Sequence, residues 1–252
     1  MKKAYVKLTT KENIGHIEFF HPQSNSLPNH ILLDLANTIS SAGKDDSIKV
    51  IILKSGGNRA FCAGASFDEL ISIKNLQKGY DFFSGFAKVI NAMRTCPKFI
   101  IGRIQGKAVG GGVGIACSTD YCFGTKFASA KLSELAIGIG PFVVGPAVER
   151  KLGKSSFSSM SINATKWFDA NWAREKGMYN EVFDNTEDMD IEINKLAYTL
   201  SKSNPEAMQQ LKKVNWQGTD HWNELLSDRA KISGELVLSE FTKKAIENFK
   251  KK

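Results

Sequence analysis

IQGKAVGGGVG, residues 104–114, is the stretch on which the reading of this chain turns. It follows an apolar run, Phe99 to Ile104, expected to be a buried strand, and it opens a helix expected to run through Ala116 and Cys117. Three adjacent glycines lose much backbone entropy on folding, so they mark a place where a ligand or another backbone comes close. The run lacks the Gly-Lys-Ser/Thr ending of a Walker loop and the third glycine of a dinucleotide fold. Toward the N-terminus lies a second turn of this kind, Ala60-Phe61-Cys62-Ala63-Gly64-Ala65-Ser66, between the β-branched run Ile48 to Leu53 and a helix expected from Ser66. Small residues at 63 to 65 let a ligand reach the backbone, and amides near a helix start have no internal partner. Taken alone, that loop is equally a tight turn kept small for packing.

Outward from these loops the chain alternates strand and helix. Tyr5 to Thr9 and Gly15 to Phe20 read as a hairpin around a Lys-Glu-Asn turn. Ile31, Leu32, Leu35 and Ile39 have helical spacing within Asn29 to Ala42. A second helical region carries Phe82, Phe83, Phe86, Val89, Ile90 and Met93 before Pro97, and strand-like pieces recur at Tyr121 to Gly124 and Ala128 to Lys131. This grammar predicts an α/β chain of repeated strand, strand, helix units over residues 1–190. Strand signals vanish beyond about residue 190. Ile191 to Ser201, Pro205 to Val214 and Asp220 to Phe249 are predicted helices, making 191–252 a helical C-terminal region for oligomerisation and for closing the site.

The 252 residues are 42% hydrophobic and 24% charged, enough for one substantial core. No run is long enough for a membrane span and the start shows no apolar signal core, so the expected location is the cytoplasm. Cys62, Cys96, Cys117 and Cys122 form no CxxC pair and the four histidines are scattered, so no metal site is expected. The net charge of +8 is diffuse, densest at Lys243, Lys244, Lys250, Lys251 and Lys252. No basic stripe is interleaved with aromatics, so no nucleic-acid partner is expected.

Two strand-to-helix turns, each offering a backbone N–H, form a pair of donors for one developing oxyanion, as a thioester enolate requires. Here the sequence resembles the crotonase (enoyl-CoA hydratase/isomerase) family. AFCAGASFDEL is similar to that family's first oxyanion loop, IQGKAVGGGVGIACSTDYCFGT to its second, and Ser129 to Pro141 to the segment bearing its acid/base glutamate. AREKGMYNEV (173–182) and SEFTKKAIENF (239–249) resemble its late turn and closing helix. The resemblance implies a crotonase-like spiral of ββα units, assembled as a homotrimer or homohexamer. It implies an acyl-CoA substrate, with coenzyme A carried as part of that substrate and no separate cofactor. By position, the amides of Ala65 and Gly111 form the oxyanion hole and Glu134 is the proton-transfer carboxylate. Ala63, Gly64, Ser66, Gly110 and the loop at Asn25 are expected to meet the CoA, whereas Gln23 stands where relatives have a basic residue.

One departure bears on the reaction. Hydratases of this family use two glutamates, and Gly114 occupies the position of the first. A double-bond shift needs one proton carrier, whereas hydration is helped by two carboxylates holding one water. The resemblance therefore implies isomerisation or hydration of an enoyl-CoA, and leaves open decarboxylation, thioester hydrolysis or a silent acyl-CoA-binding member. Without that context, Glu134 reads as a surface helix-start residue capped by Ser133.

Overall fold

A computed structural model of the chain describes residues 3–250; Met1, Lys2, Lys251 and Lys252, the last two part of the basic C-terminal run, lie outside them. Strands β1 (Tyr5–Lys11) and β2 (Ile14–Phe20) form the expected hairpin, closed by Glu12 and Asn13 with φ of 53° and 63°. A two-residue loop with both φ positive matches the twist of the flanking strands. Helix α1 (Asn29–Lys44) leads to β3 (Val50–Ser55). Helices α2 (Phe67–Ser72) and α3 (Leu76–Thr95) lead to β4 (Ile100–Ile104). Next come β5 (Ala108–Val109), α4 (Gly111–Cys117), β6 (Tyr121–Thr125) and β7 (Ala130–Lys131). A single 3-10 turn (Glu134–Ile137) precedes α5 (Gly145–Leu152), α6 (Lys154–Ile162), α7 (Ala170–Glu175) and β8 (Glu181–Phe183). Four helices follow: α8 (Thr186–Ser201), α9 (Pro205–Asn215), α10 (Trp222–Leu236) and α11 (Glu240–Lys250).

Six strands join in the order β1-β2-β3-β4-β6-β8, parallel except for β1. A second row of short pairings runs beside this sheet: Leu27 with Ala65, Cys62 with Ala108, β5 with β7, and Ala130 with Phe168. Each turn of the spiral thus gives a long rung to the sheet and a short rung to the row. The row carries both glycine loops and the approach to Glu134 to one edge of the molecule. The α/β class expected from the alternation, and the spiral of ββα units implied by the resemblance, are the architecture observed.

Both sheet faces are covered, which is why β3 reads as a continuous apolar run rather than an alternating one. Ile51 and Leu53 face the core made with α1 and α3, while Val50 and Ile52 face Met189, Ile193 and Ala197 of α8. Residue 190 therefore lies within a helix packed on the sheet. Helix α10 meets α3 at a glycine pair: a Cβ on Gly79 would stand 2.7 Å from the carbonyl oxygen of Gly234. This close approach draws the C-terminal helices onto the same helix that carries Phe83 and Phe86.

The expected single helix from Asp220 to Phe249 is two helices. Val237 is buried, and Ser239 starts α11 by accepting the Thr242 N–H at 3.2 Å. Leu236 and Leu238 join Val237 in a cluster with Leu70, Ile73, Phe82 and Ile139, so three successive residues must turn inward and a straight helix cannot do that. On the C-terminal helices Leu226 is fully buried, whereas Ile232 and Phe241 are exposed.

Candidate active site

A cleft of about 690 Å³ lies where the row of short pairings meets the C-terminal helices. Ala63, Gly64 and Ala65 form one wall and Val109, Gly110 and Gly111 the next. Glu134, Phe83, Phe86 and the segment from Ile139 to Val144 line its interior, and Ser233 of α10 and Ala245 of α11 complete it.

Main-chain bonds fix the two loops. Leu27 N–H donates to Gly64 O at 2.8 Å and Ser66 N–H to Leu27 O at 3.2 Å, which leaves the intervening Ala65 amide turned away from that pairing. Val109 N–H donates to Cys62 O and Gly110 N–H to Lys131 O, joining the first loop, the second loop and β7. Among the described residues, neither the Ala65 nor the Gly111 amide donates a hydrogen bond within the chain. Glycine is required at 64 and 110, where φ is 87° and 51°. A Cβ on Gly110 would lie 2.7 Å from Glu134 Oε1, so the carboxyl of Glu134 rests directly on this loop.

Glu134 is half-buried as a residue, but its carboxyl oxygen Oε2 is enclosed and has no hydrogen-bond partner among the described residues. Burial raises its pKa to about 7, partly opposed by a hydrogen bond with its own backbone. Ser133 makes no capping bond, so the surface-cap reading of this pair does not describe the molecule. Besides Glu134, the ionisable groups lining the cleft are Asp68, which accepts from Gln23 Nε2 at 2.7 Å, and Lys131, whose ammonium sits 4.5 Å from the Trp167 ring centroid. The interior between them is apolar.

Two expected ligand contacts are placed elsewhere. Asn25 is buried away from the cleft with φ of 56°; its Nδ2 donates to Gly56 O and Ala60 O, and its Oδ1 accepts from His21 N–H. It braces the loop whose neighbours Ser24 and Ser26 line the cleft. Ser66 is the N-cap of α2, accepting the Glu69 N–H at 3.4 Å, and it too stands outside the lining. Ala63, Gly64 and Gly110 do line it. Phe83 and Phe86 face the cleft, whereas Phe82 is buried in the cluster beneath the C-terminal helices.

The structure adds residues that sequence spacing did not single out. Val144 lines the cleft and is packed on Gly114, where a Cβ would come within 2.5 Å of Val144 Cγ1. Gly114 itself lies in α4 outside the left-handed region, so what requires glycine there is space. The cysteines are free and buried, and burial pushes the Cys62 thiol up to about 12, too high for a nucleophile beside the first loop. No group of three His, Cys, Asp or Glu side chains among the described residues is placed to hold a metal, and no helix among them is long and apolar enough to cross a membrane.

Known proteins share the sequence pattern and the fold of this chain. The family model described as enoyl-CoA hydratase/isomerase matches residues 9–252. The bacillaene synthase dehydratase PksH of Bacillus subtilis is 25% identical, with the match covering 88% of this chain and 80% of that protein. The peroxisomal Delta(3,5)-Delta(2,4)-dienoyl-CoA isomerase of Arabidopsis thaliana is also 25% identical, over 83% of this chain and 79% of its own. The crystal structure of enoyl-CoA hydratase from Bacillus halodurans has the same fold, with a TM-score of 0.89 at 20% identity, covering 97% of this chain and 99% of the other. This chain belongs to the enoyl-CoA hydratase/isomerase family of enzymes.

Proposed function

We propose that this enzyme moves the double bond of an enoyl-CoA thioester, using Glu134 as its single proton carrier and the amides of Ala65 and Gly111 as its oxyanion hole. The observation that carries this reading is one buried carboxyl with a free oxygen and a pKa of about 7, in a cleft whose interior is otherwise apolar. The thioester carbonyl accepts from the two amides. The Glu134 carboxylate takes the acidic proton at C2 or C4, the electron pair spreads over the dienolate and its oxygen, and the same carboxyl returns the proton to the other carbon. A pKa near neutrality suits both halves of this cycle, because the group must accept and then release one proton. Leu70, Phe83, Ile139 and Val143 favour an uncharged hydrocarbon acyl chain.

If the hole favours enolate character, acetoacetyl-CoA should bind about 10- to 100-fold more tightly than CoA, the scale of two ordinary hydrogen bonds. Replacing Ala65 by proline removes one donor and should reduce that preference about tenfold. Calorimetry showing equal affinity for the two ligands would remove the oxyanion hole from the mechanism.

The working assembly in this reading is the homotrimer or homohexamer implied by the family resemblance. Exposed Ile232 and Phe241, on α10 and α11 beside the cleft, are apolar surface that such contacts would cover. Sedimentation at micromolar concentration should give three or six times the mass of the chain, and a monomer would contradict it.

A further inference from the structure

We propose that Val144 is the residue that sets this cleft for proton transfer and against water addition. The inference rests on the reading of Glu134 as proton carrier and deepens it by naming the wall that faces the reacting carbons. Gly110 and Gly114 are one turn apart at the start of α4, joined by the Gly114 N–H to Gly110 O bond at 3.2 Å. Glu134 Oε1 lies against the first of these glycines and the Val144 methyls against the second. Both residues line the same cleft, so Val144 presents hydrocarbon to the space that the Glu134 carboxyl faces, where a second carboxylate would be needed to share a water with it.

The pair is reciprocal. A Cβ at 114 would meet Val144 Cγ1 at 2.5 Å and Val144 Cβ at 2.7 Å, so either position can carry a side chain but both cannot. Gly114 is buried in a short helix and has no room to gain an acid while Val144 remains. Val144 has φ of −82° and ψ of −18° at the entrance to α5, a conformation open to any L residue, and its side chain reaches the cleft. Position 144 is therefore the place where a second polar group can be added without moving the second oxyanion loop.

With Val144→Asp, the new carboxylate takes a proton from water as the water oxygen bonds to C3, and protonated Glu134 gives its proton to C2. The ratio of crotonyl-CoA hydration to double-bond isomerisation should rise about 10²-fold, the lower end of what a positioned acid or base supplies. Because a carboxylate in this wall can unfold the protein, Val144→Thr, of nearly the same shape, is the second arm. Its hydroxyl can hold a water by one hydrogen bond, and the ratio should rise roughly threefold. Gly114→Glu on its own should lose folded protein by circular dichroism, and Gly114→Glu with Val144→Gly should regain it. Exchange of the C2 proton of a saturated acyl-CoA with deuterated solvent reports on Glu134 separately. Folded Val144→Asp, or Val144→Thr if the former does not fold, that exchanges this proton at an unchanged ratio overturns the role of Val144. Wild-type protein that neither exchanges the proton nor isomerises overturns the proton-carrier reading beneath it.

Discussion

With Glu134 as the proposed proton carrier, Glu134→Gln should lower isomerase turnover about 10²–10⁴-fold while acetoacetyl-CoA affinity stays within a few fold. The amide keeps the shape of the side chain and its contact with Gly110 but cannot take up a proton. Burial sets the pH dependence: with a pKa of about 7, kcat/KM of the wild type should climb through neutrality to a plateau above it, as expected when the ionised form is the base. The same burial has an effect on stability whose sign is fixed. Below about 4.5 the carboxyl is neutral in both folded and unfolded chains and contributes nothing. Between about 4.5 and 7 only the unfolded chain ionises, so stability falls as pH rises; above that the loss is constant at about 3 kcal/mol. Glutamine escapes this loss. The stability of Glu134→Gln relative to wild type should therefore increase between pH 4 and pH 8, measured by denaturant unfolding. A difference independent of pH would mean that the carboxyl is solvated, and an activity loss under tenfold would mean that it is a bystander.

Asp120→Ala should cost about 3–5 kcal/mol, because it strands a buried charge. Asp120 Oδ2 accepts from Ile100 N–H and Lys212 Nζ, both at 2.8 Å, and Oδ1 accepts from Trp216 Nε1 at 2.9 Å. The Lys212 and Asp120 side chains are only 3% and 6% exposed, so this pair is little screened by water. Lys212 also donates to Lys98 O, and the Arg150 guanidinium stacks 4.2 Å from the Trp216 centroid. One carboxylate thus ties α9 to the start of β4. Removing it should lower the midpoint of thermal unfolding by roughly 10 °C for a chain of this size. Asp120→Ala combined with Lys212→Met should recover much of that, since the uncompensated ammonium goes with it. A loss below about 1 kcal/mol would show that water reaches the pair.

Local chemistry made much of this fold legible. The Glu12-Asn13 turn, the β-branched run at Val50 and the helical spacing in α1 and α3 each follow from one stretch of chain, and each was recoverable from that stretch. The glycine triplet and AFCAGAS stood out because small residues in such number are costly without a reason, and the structure places both at one cleft. The break between α10 and α11 has one sequence signal, the three successive apolar residues Leu236, Val237 and Leu238, which is short enough to merge into the flanking helical stripes because no glycine or proline interrupts it. Asn25 lies off the cleft lining while its loop reaches it, because its left-handed backbone and three hydrogen bonds answer to the loop it braces. Val144 was invisible for a different reason: it is one apolar residue among several, and it acquires meaning only from a glycine thirty positions earlier.

The cleft draws its wall from Gln23 at one end of the chain to Ala245 at the other. A ribosome making this protein therefore delivers the two amide loops and Glu134 long before the helix that closes over them. Until α11 docks, the turn at 134–137 lacks one of the elements packed against it, with Phe241 and Thr242 absent from Gly138. Contacts between such distant segments also form late, because long loops must close first. The cleft is therefore complete only once both ends of the chain have folded into place.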